Sequence, residues 1–270
     1  MWNYGDIVHR QRNETGRVTM EMVWLTALGV GGATVIGAVL GFVFKKISHR
    51  FSDIVLAFAA GVMLCAAVVG LILPSLEDGG AAALPVTVIG IFLGGLCINL
   101  LDKLVPHLHR LAGAEQENHP DKTKQLNKVL LFVMAIAIHN LPEGIAAGVG
   151  FGGGNVAEAL TIAAGIALQN VPEGMIIIAP MLAAGVSRTR TFIAAMMTGL
   201  VEVVGTLLGY LAVSVSSAVL PFALAFAGGT MLYVISDEMI PETHHGDARG
   251  VTWSLLAGFC LMLAMHHYLG

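Results

Sequence analysis

The chain has 270 residues, 56% of them hydrophobic and only 12% charged, with a mean hydropathy of +0.79. Soluble domains carry about 25% charged residues, so an ordinary water-soluble fold is excluded. The formal charge of −4, with basic residues scattered between apolar segments, implies no nucleic-acid partner.

Residues 1–21 are polar and hold no apolar core of a signal peptide, so they read as a short hydrophilic tail. A bilayer crossing takes roughly 20 apolar residues. Eight segments qualify, at about Met22–Phe44, Ile54–Leu76, Ala83–Leu101, Val129–Phe151, Ala159–Val186, Thr191–Val215, Ala218–Ile235 and Val251–Leu269. The expected fold is therefore all-α: one polytopic domain of eight transmembrane helices over residues 22–270. The spans are Gly-rich, which lets membrane helices approach closely. Cys65, Cys97 and Cys260 each lie inside an apolar segment, form no C-x-x-C pair and read as small hydrophobes.

With the N-terminus outside, the inner loops hold Lys45, Lys46, Arg50, Lys103, Arg110, Lys122, Lys124, Lys128, Arg188, Arg190 and Arg249. The outer side has only Arg10, Arg12 and Arg17 of the tail. The excess of basic residues on one side puts both termini outside. The one sizeable connection, residues 102–128, carries His107, His109 and His119 and reads as a cytoplasmic loop: a solvated linker, or a loose metal-catching segment.

Charge inside the spans is the informative feature. Asp53, Glu77, Asp78, Asp102, Glu158, Asp237 and Glu238 fall at span edges or in loops, whereas Glu143, Glu173 and Glu202 fall at mid-span, as does His139 alone among ten histidines. An acid at the bilayer centre costs about 2.5–3.5 kcal/mol, so three cost roughly 8–10 kcal/mol if simply added. No Lys or Arg lies deep enough to offset them. Either they are protonated or a cation binds among them. Helix–helix glue is the weaker explanation, because Ser, Thr or Asn would serve at lower cost.

The fourth span reads H-N-L-P-E-G from His139 to Gly144, and the fifth reads Q-N-V-P-E-G from Gln169 to Gly174. Residues four apart share a helix face, so His139 joins Glu143 and Gln169 joins Glu173, with Asn140 and Asn170 on the flank. Pro142 and Pro172 each remove an N–H and loosen the turn before them. Two copies on consecutive, antiparallel spans fit a two-fold axis in the membrane plane, and paired Pro-broken helices at mid-membrane point to a transporter's binding site. Imidazole with carboxylate favours Zn²⁺ and its first-row neighbours over Mg²⁺ or Ca²⁺. The amides add neutral oxygen donors. Met63, near mid-depth in A-G-V-M-L, reads by itself as core or lipid-facing filler.

At H-N-L-P-E-G and Q-N-V-P-E-G the sequence resembles the ZIP (ZRT/IRT-like) family of divalent metal transporters, in its bacterial-type GufA branch. A-G-V-M-L in the second span, G-L-V-E-V-V-G around Glu202 and S-D-E-M-I-P-E-T-H from Ser236 to His244 extend the resemblance. It implies eight helices with both termini outside and a homodimer, in a bacterial inner membrane. The expected cargo is Zn²⁺ and often Fe²⁺, Mn²⁺ or Cd²⁺ moving toward the cytoplasm, carried as substrate with no catalytic cofactor. It also implies two metal positions: Met63, His139, Glu143, Gln169 and Glu173 for the first, and Asn140, Glu143, Asn170, Glu173 and Glu202 for the second, the two glutamates bridging. The family's expected motion is an elevator-like shift of the ligand-bearing helices. Asn170 replaces an Asp that similar proteins can carry, and Gln169 replaces a His of many eukaryotic members. Both changes bear on charge and softness.

Two metals divide naturally among these residues. His139 is the sole deep imidazole, so a first ion belongs with it, Glu143, Gln169 and Glu173, whose two carboxylates neutralise it. Glu202 then serves only a second, weaker position with Asn140 and Asn170, or else acts as a protonated helix-holding partner. Glu77, Asp78 and His266 form a possible outer mouth, although polar span ends are common. Asp237, Glu238, Glu242, His244 and His245 form a denser possible release cluster inside. The rival readings are a proton- or sodium-coupled carrier of a small organic solute and an intramembrane metal-dependent hydrolase. No H-E-x-x-H pair supports the hydrolase, and no solute-recognising basic group supports a carrier of anions.

Overall fold

The computed structural model describes residues 4–44, 48–111, 120–243 and 248–270. Those residues form helices and connecting turns, with no β-strand among them. In hydrocarbon every backbone N–H and C=O must pair within its own segment, which leaves helices as the form these apolar runs can take. Eight rods result. They are α1 (Tyr4–Val43); α2 (His49–Cys65, continued by the π-helical Ala66–Ile72 and by Leu73–Asp78); α3 (Ala83–Leu111); α4 (Pro120–Val149); α5 (Val156–Ala183); α6 (Arg188–Val215); α7 (Leu220–Val234, continued by the π-helical Ile235–Met239 and by Ile240–Glu242); and α8 (Ala248–Leu269). Seven of these are long and apolar enough to cross a membrane among the described residues, and α4, 30 residues long, is the eighth rod.

The ends follow from local chemistry. Ser48 caps α2 by accepting from Phe51 N, Asn155 caps α5 by accepting from Ala157 N and Glu158 N, and Ser187 caps α6 through Arg190 N. Gly185, at φ +82, follows the last turn of α5 in the left-handed conformation that glycine adopts freely. Pro142 and Pro172 lie inside α4 and α5 without ending either helix.

One expectation needs correction and another gains a conformation. The polar segment 1–21 is helical from Tyr4 and continuous with the first span. Most of the expected loop 102–128 is also helical, since α3 runs to Leu111 and α4 starts at Pro120. Hydropathy marks where lipid contact stops, whereas backbone pairing continues into the aqueous region, and Pro120 suits a first helical turn. His119, His244 and His245 lie outside the described residues, as do the side chains of His107 and His109.

Packing divides the rods into two sets of four: α4 lies on α6 and α1 on both α5 and α6, while α3 lies on α7 and α2 on α8. Glycines make each crossing. A Cβ at Gly144 would meet the Glu202 carbonyl, and one at Gly174 would meet that of Thr34. Gly205 and Gly37 face the carbonyls of Leu141 and Val171 in the same way. In the second set Gly258 and Gly94 face Phe58 and Phe226, and Gly61 and Gly229 face Leu255 and Ile91. Each of these glycine contacts has a counterpart under one exchange, α1 with α6, α2 with α7, α3 with α8 and α4 with α5. The π-helical interruptions of α2 and α7 obey it too. This is the inverted pseudo-two-fold expected from the repeated hexapeptide, and it extends through all eight rods.

Candidate metal centre

The site lies where α1, α4, α5 and α6 cross. Asn140, Glu143, Gln169, Asn170 and Glu202 are all 0% exposed, and Glu173 and His139 are nearly so. Each reaches the interior because a glycine of its own motif removes the side chain that would keep the neighbouring helix away: Gly144 beside Glu143, Gly174 beside Glu173. The carboxylates of Glu143, Glu173 and Glu202 lie within electrostatic reach of one another, and Glu173 within reach of His139.

Amides separate the acids. Gln169 Nε2 donates to Glu143 Oε1 at 2.6 Å, joining the two hexapeptides. Asn170 Nδ2 donates to Glu202 Oε2 at 2.7 Å and also to the Val30 carbonyl at 3.1 Å. Asn140 Nδ2 donates to Glu202 Oε1, the oxygen that also accepts from Thr34 Oγ1 at 2.7 Å. Glu202 thus binds one donor from each of three other helices. Four buried oxygens of this set have no protein partner: Asn140 Oδ1, Glu143 Oε2, Gln169 Oε1 and Asn170 Oδ1. Buried acceptors without partners are rare. All four belong to the repeated hexapeptides.

Of the expected residues, His139 to Glu173 and Glu202 come together. Met63 is fully buried in the principal apolar cluster, where packing accounts for it, and its pseudo-symmetric counterpart Met231 is buried in the same cluster. Among the inner residues, Glu238 reaches the site directly: its Oε1 lies 2.7 Å from His139 Nε2. Asp237 lines a separate groove of about 550 Å³ between α3 and α7, with Asn99 and Tyr233, and Glu242 is exposed. Glu77 and Asp78 are exposed at the end of α2, and His266 is half-buried on α8. Among the described residues, no three His, Cys, Asp or Glu side chains gather as a metal-holding group. The site owes its donors to amides as much as to acids.

Three contributors escaped the census of charges: Thr34, the Val30 carbonyl, and Glu238 as a direct partner of His139. A signal for Thr34 was present. Residues 31–37 read G-G-A-T-V-I-G, with glycines spaced as in the G-L-V-E-V-V-G of residues 199–205.

A multi-pass helical membrane protein with a desolvated acid and amide cluster at the crossing of four helices has the build of a membrane transporter. The ZIP zinc transporter family model matches residues 106–266. The chain is 41% identical over 254 residues to the zinc transporter GufA of Myxococcus xanthus, covering 91% of this chain and 98% of that one. It is 37% identical over 265 residues to the zinc transporter ZIPB of Bordetella bronchiseptica, covering 95% and 84%. It is 35% identical over 246 residues to the zinc transporter ZupT of Chlorobaculum parvum, covering 86% and 91%. The chain belongs to the ZIP zinc transporter family, in its GufA branch.

Proposed function

We propose that the protein carries divalent transition metal ions, Zn²⁺ foremost and Fe²⁺, Mn²⁺ or Cd²⁺ with it, toward the cytoplasm through the buried cluster on α4, α5 and α6. The observation that carries this reading is the group of four unpartnered oxygens, Asn140 Oδ1, Glu143 Oε2, Gln169 Oε1 and Asn170 Oδ1, set among three buried carboxylates. Oxygens with free lone pairs beside acids suit a desolvated cation, and the imidazole of His139 tilts the set toward the zinc side of the first transition row. The names of the similar proteins agree with that cargo.

Two ion positions follow from the donors. His139, Glu143, Gln169 and Glu173 supply one imidazole, one amide and two carboxylates, enough to neutralise a dication. Glu202 with Asn140 and Asn170 supplies one unshared carboxylate and two amides, a weaker and more exchangeable second position. Glu238, bonded to His139, lies on the path to the inner side if the basic loops face the cytoplasm. We place the protein as a homodimer in a bacterial inner membrane, both termini outside.

Radiometal uptake into proteoliposomes, with competing metals and the pH set on both sides, tests the reading. Glu143→Ala and Glu173→Ala are expected to reduce ⁶⁵Zn²⁺ uptake to near background at equal membrane abundance. Wild-type rates in both variants would overturn the assignment, and uptake of an organic solute unaffected by metal would overturn the cargo.

A further inference from the structure

We propose that Thr34 is a positioning residue of the second ion position, holding the Glu202 carboxylate toward Asn140 and Asn170 from the opposite helix. The proposal rests on the two-ion reading above. Its basis is what the hydroxyl does. Thr161, Thr198, Thr206 and Thr230, all buried, return their hydroxyls to carbonyls three or four residues back on their own helices, the usual habit of threonine in apolar helices. Thr34 is just as buried, at 0% exposure, yet it donates to Glu202 Oε1 at 2.7 Å across 168 residues of sequence. The carbonyl four residues back, that of Val30, instead accepts from Asn170 at 3.1 Å. One turn of α1 therefore serves two members of the cluster.

Symmetry adds a second, independent observation. Gly31 and Gly199 lie against each other's carbonyls, Gly174 lies on Thr34 as Gly144 lies on Glu202, and Gly37 matches Gly205. Thr34 thus stands at the place in α1 that Glu202 holds in α6. The two helices approach the cluster identically, one bringing a carboxylate and the other the hydroxyl that orients it. The second position therefore carries a single acid of its own, fixed from both sides, and that arrangement accounts for an ion held weakly at a defined point.

The test is a Zn²⁺ binding titration of the purified full chain in nanodiscs, for wild type, Thr34→Val, Thr34→Ser, Glu202→Gln and the Thr34→Val/Glu202→Gln double variant, with thermal melting to verify folding. Valine keeps the shape and loses the donor; serine keeps the donor. Two steps are expected in wild type. Thr34→Val should weaken the second by roughly tenfold, the scale of one hydrogen bond to a charged group, and leave the first unchanged. Thr34→Ser should restore it. In the Glu202→Gln background, Thr34→Val should have no added effect. A second step untouched by Thr34→Val, with Glu202→Gln still removing it, overturns the role of Thr34 alone. A weakened first step in Thr34→Val, with or without the Glu202 carboxylate, also overturns it, because the hydroxyl would then act elsewhere. A Glu202→Gln protein that keeps both steps overturns the two-ion reading and this inference together.

Discussion

Gly205→Ala tests whether close packing of α4 on α6 sets the metal centre. A Cβ at Gly205 would stand 2.6 Å from the Leu141 carbonyl oxygen, 3.0 Å from Ile145 N and 3.1 Å from Gly144 Cα. Those neighbours are backbone and cannot swing aside as a side chain would. Restoring the oxygen contact to the 3.4 Å of ordinary packing parts the helices by about 0.8 Å at that point. Glu202 lies one turn from Gly205 on the same helix, and Asn140 is next to Leu141 on the other, so the bond between them opens by a similar amount. The bond from Asn140 to Glu202 weakens as it lengthens. Overpacking of this kind costs about 1–3 kcal/mol of stability, and losing one bond to Glu202 weakens the second ion step by roughly tenfold. The first step, whose proposed ligands sit on α4 and α5, should survive. Zinc titration and melting of the variant in nanodiscs read both effects. Gly32→Ala is the control, because nothing stands within 4 Å of its Cβ position and its φ is ordinary. Unchanged melting and two unchanged steps in Gly205→Ala would refute the packing argument. Loss of the first step alone would refute the assignment of ligands to helices.

Two further outcomes are expected. Glu238→Gln keeps a hydrogen-bonding partner for His139 but removes its charge; the uptake rate should change several-fold while the order of metal preference stays, and a pure change of preference in a competition assay would count against a release role. Gln169→His places an imidazole at the pseudo-symmetric counterpart of His139, so the first zinc step should tighten and exchange more slowly, lowering turnover; unchanged affinity would show that Gln169 does not face the ion.

The eight spans and the hexapeptide cluster were legible because both are written in local chemistry. Long apolar runs mark the bilayer, and an acid at mid-run is conspicuous against it. The helical extensions 4–21 and 102–111 were not legible, because hydropathy records contact with lipid and not backbone pairing. Thr34 is legible only in part: a threonine in a membrane helix is ordinary, the glycine spacing around it matches that around Glu202, and its partner 168 residues away completes its meaning. The place of Glu238 near a span end groups it with an inner cluster. The π-helical turn Ile235–Met239 shifts the register of α7 at that point, so helical spacing alone cannot tell which of Asp237 and Glu238 faces His139.

The backbone repeats under the pseudo-two-fold while the ligands do not, and that difference carries the chemistry. Asn140 matches Asn170 and Glu143 matches Glu173, so amide and acid are duplicated. His139 is matched by Gln169, and Glu202 by Thr34. A fully symmetric cluster would offer two equal places to a cation. On the proposed reading the imidazole strengthens one place, and the lone acid of α6 defines another with less charge. One asymmetric pair also keeps a hydrogen bond where symmetry alone would put two like groups together: Thr34 donates to Glu202. A second carboxylate at position 34 would face Glu202 across the axis, and like charges at that range disfavour each other in a desolvated site. The hydroxyl avoids that repulsion while fixing the acid it replaces by symmetry. On the proposed reading, unequal places let an incoming ion weaken its predecessor's hold through shared carboxylates, which a pair of deep equal wells would not allow.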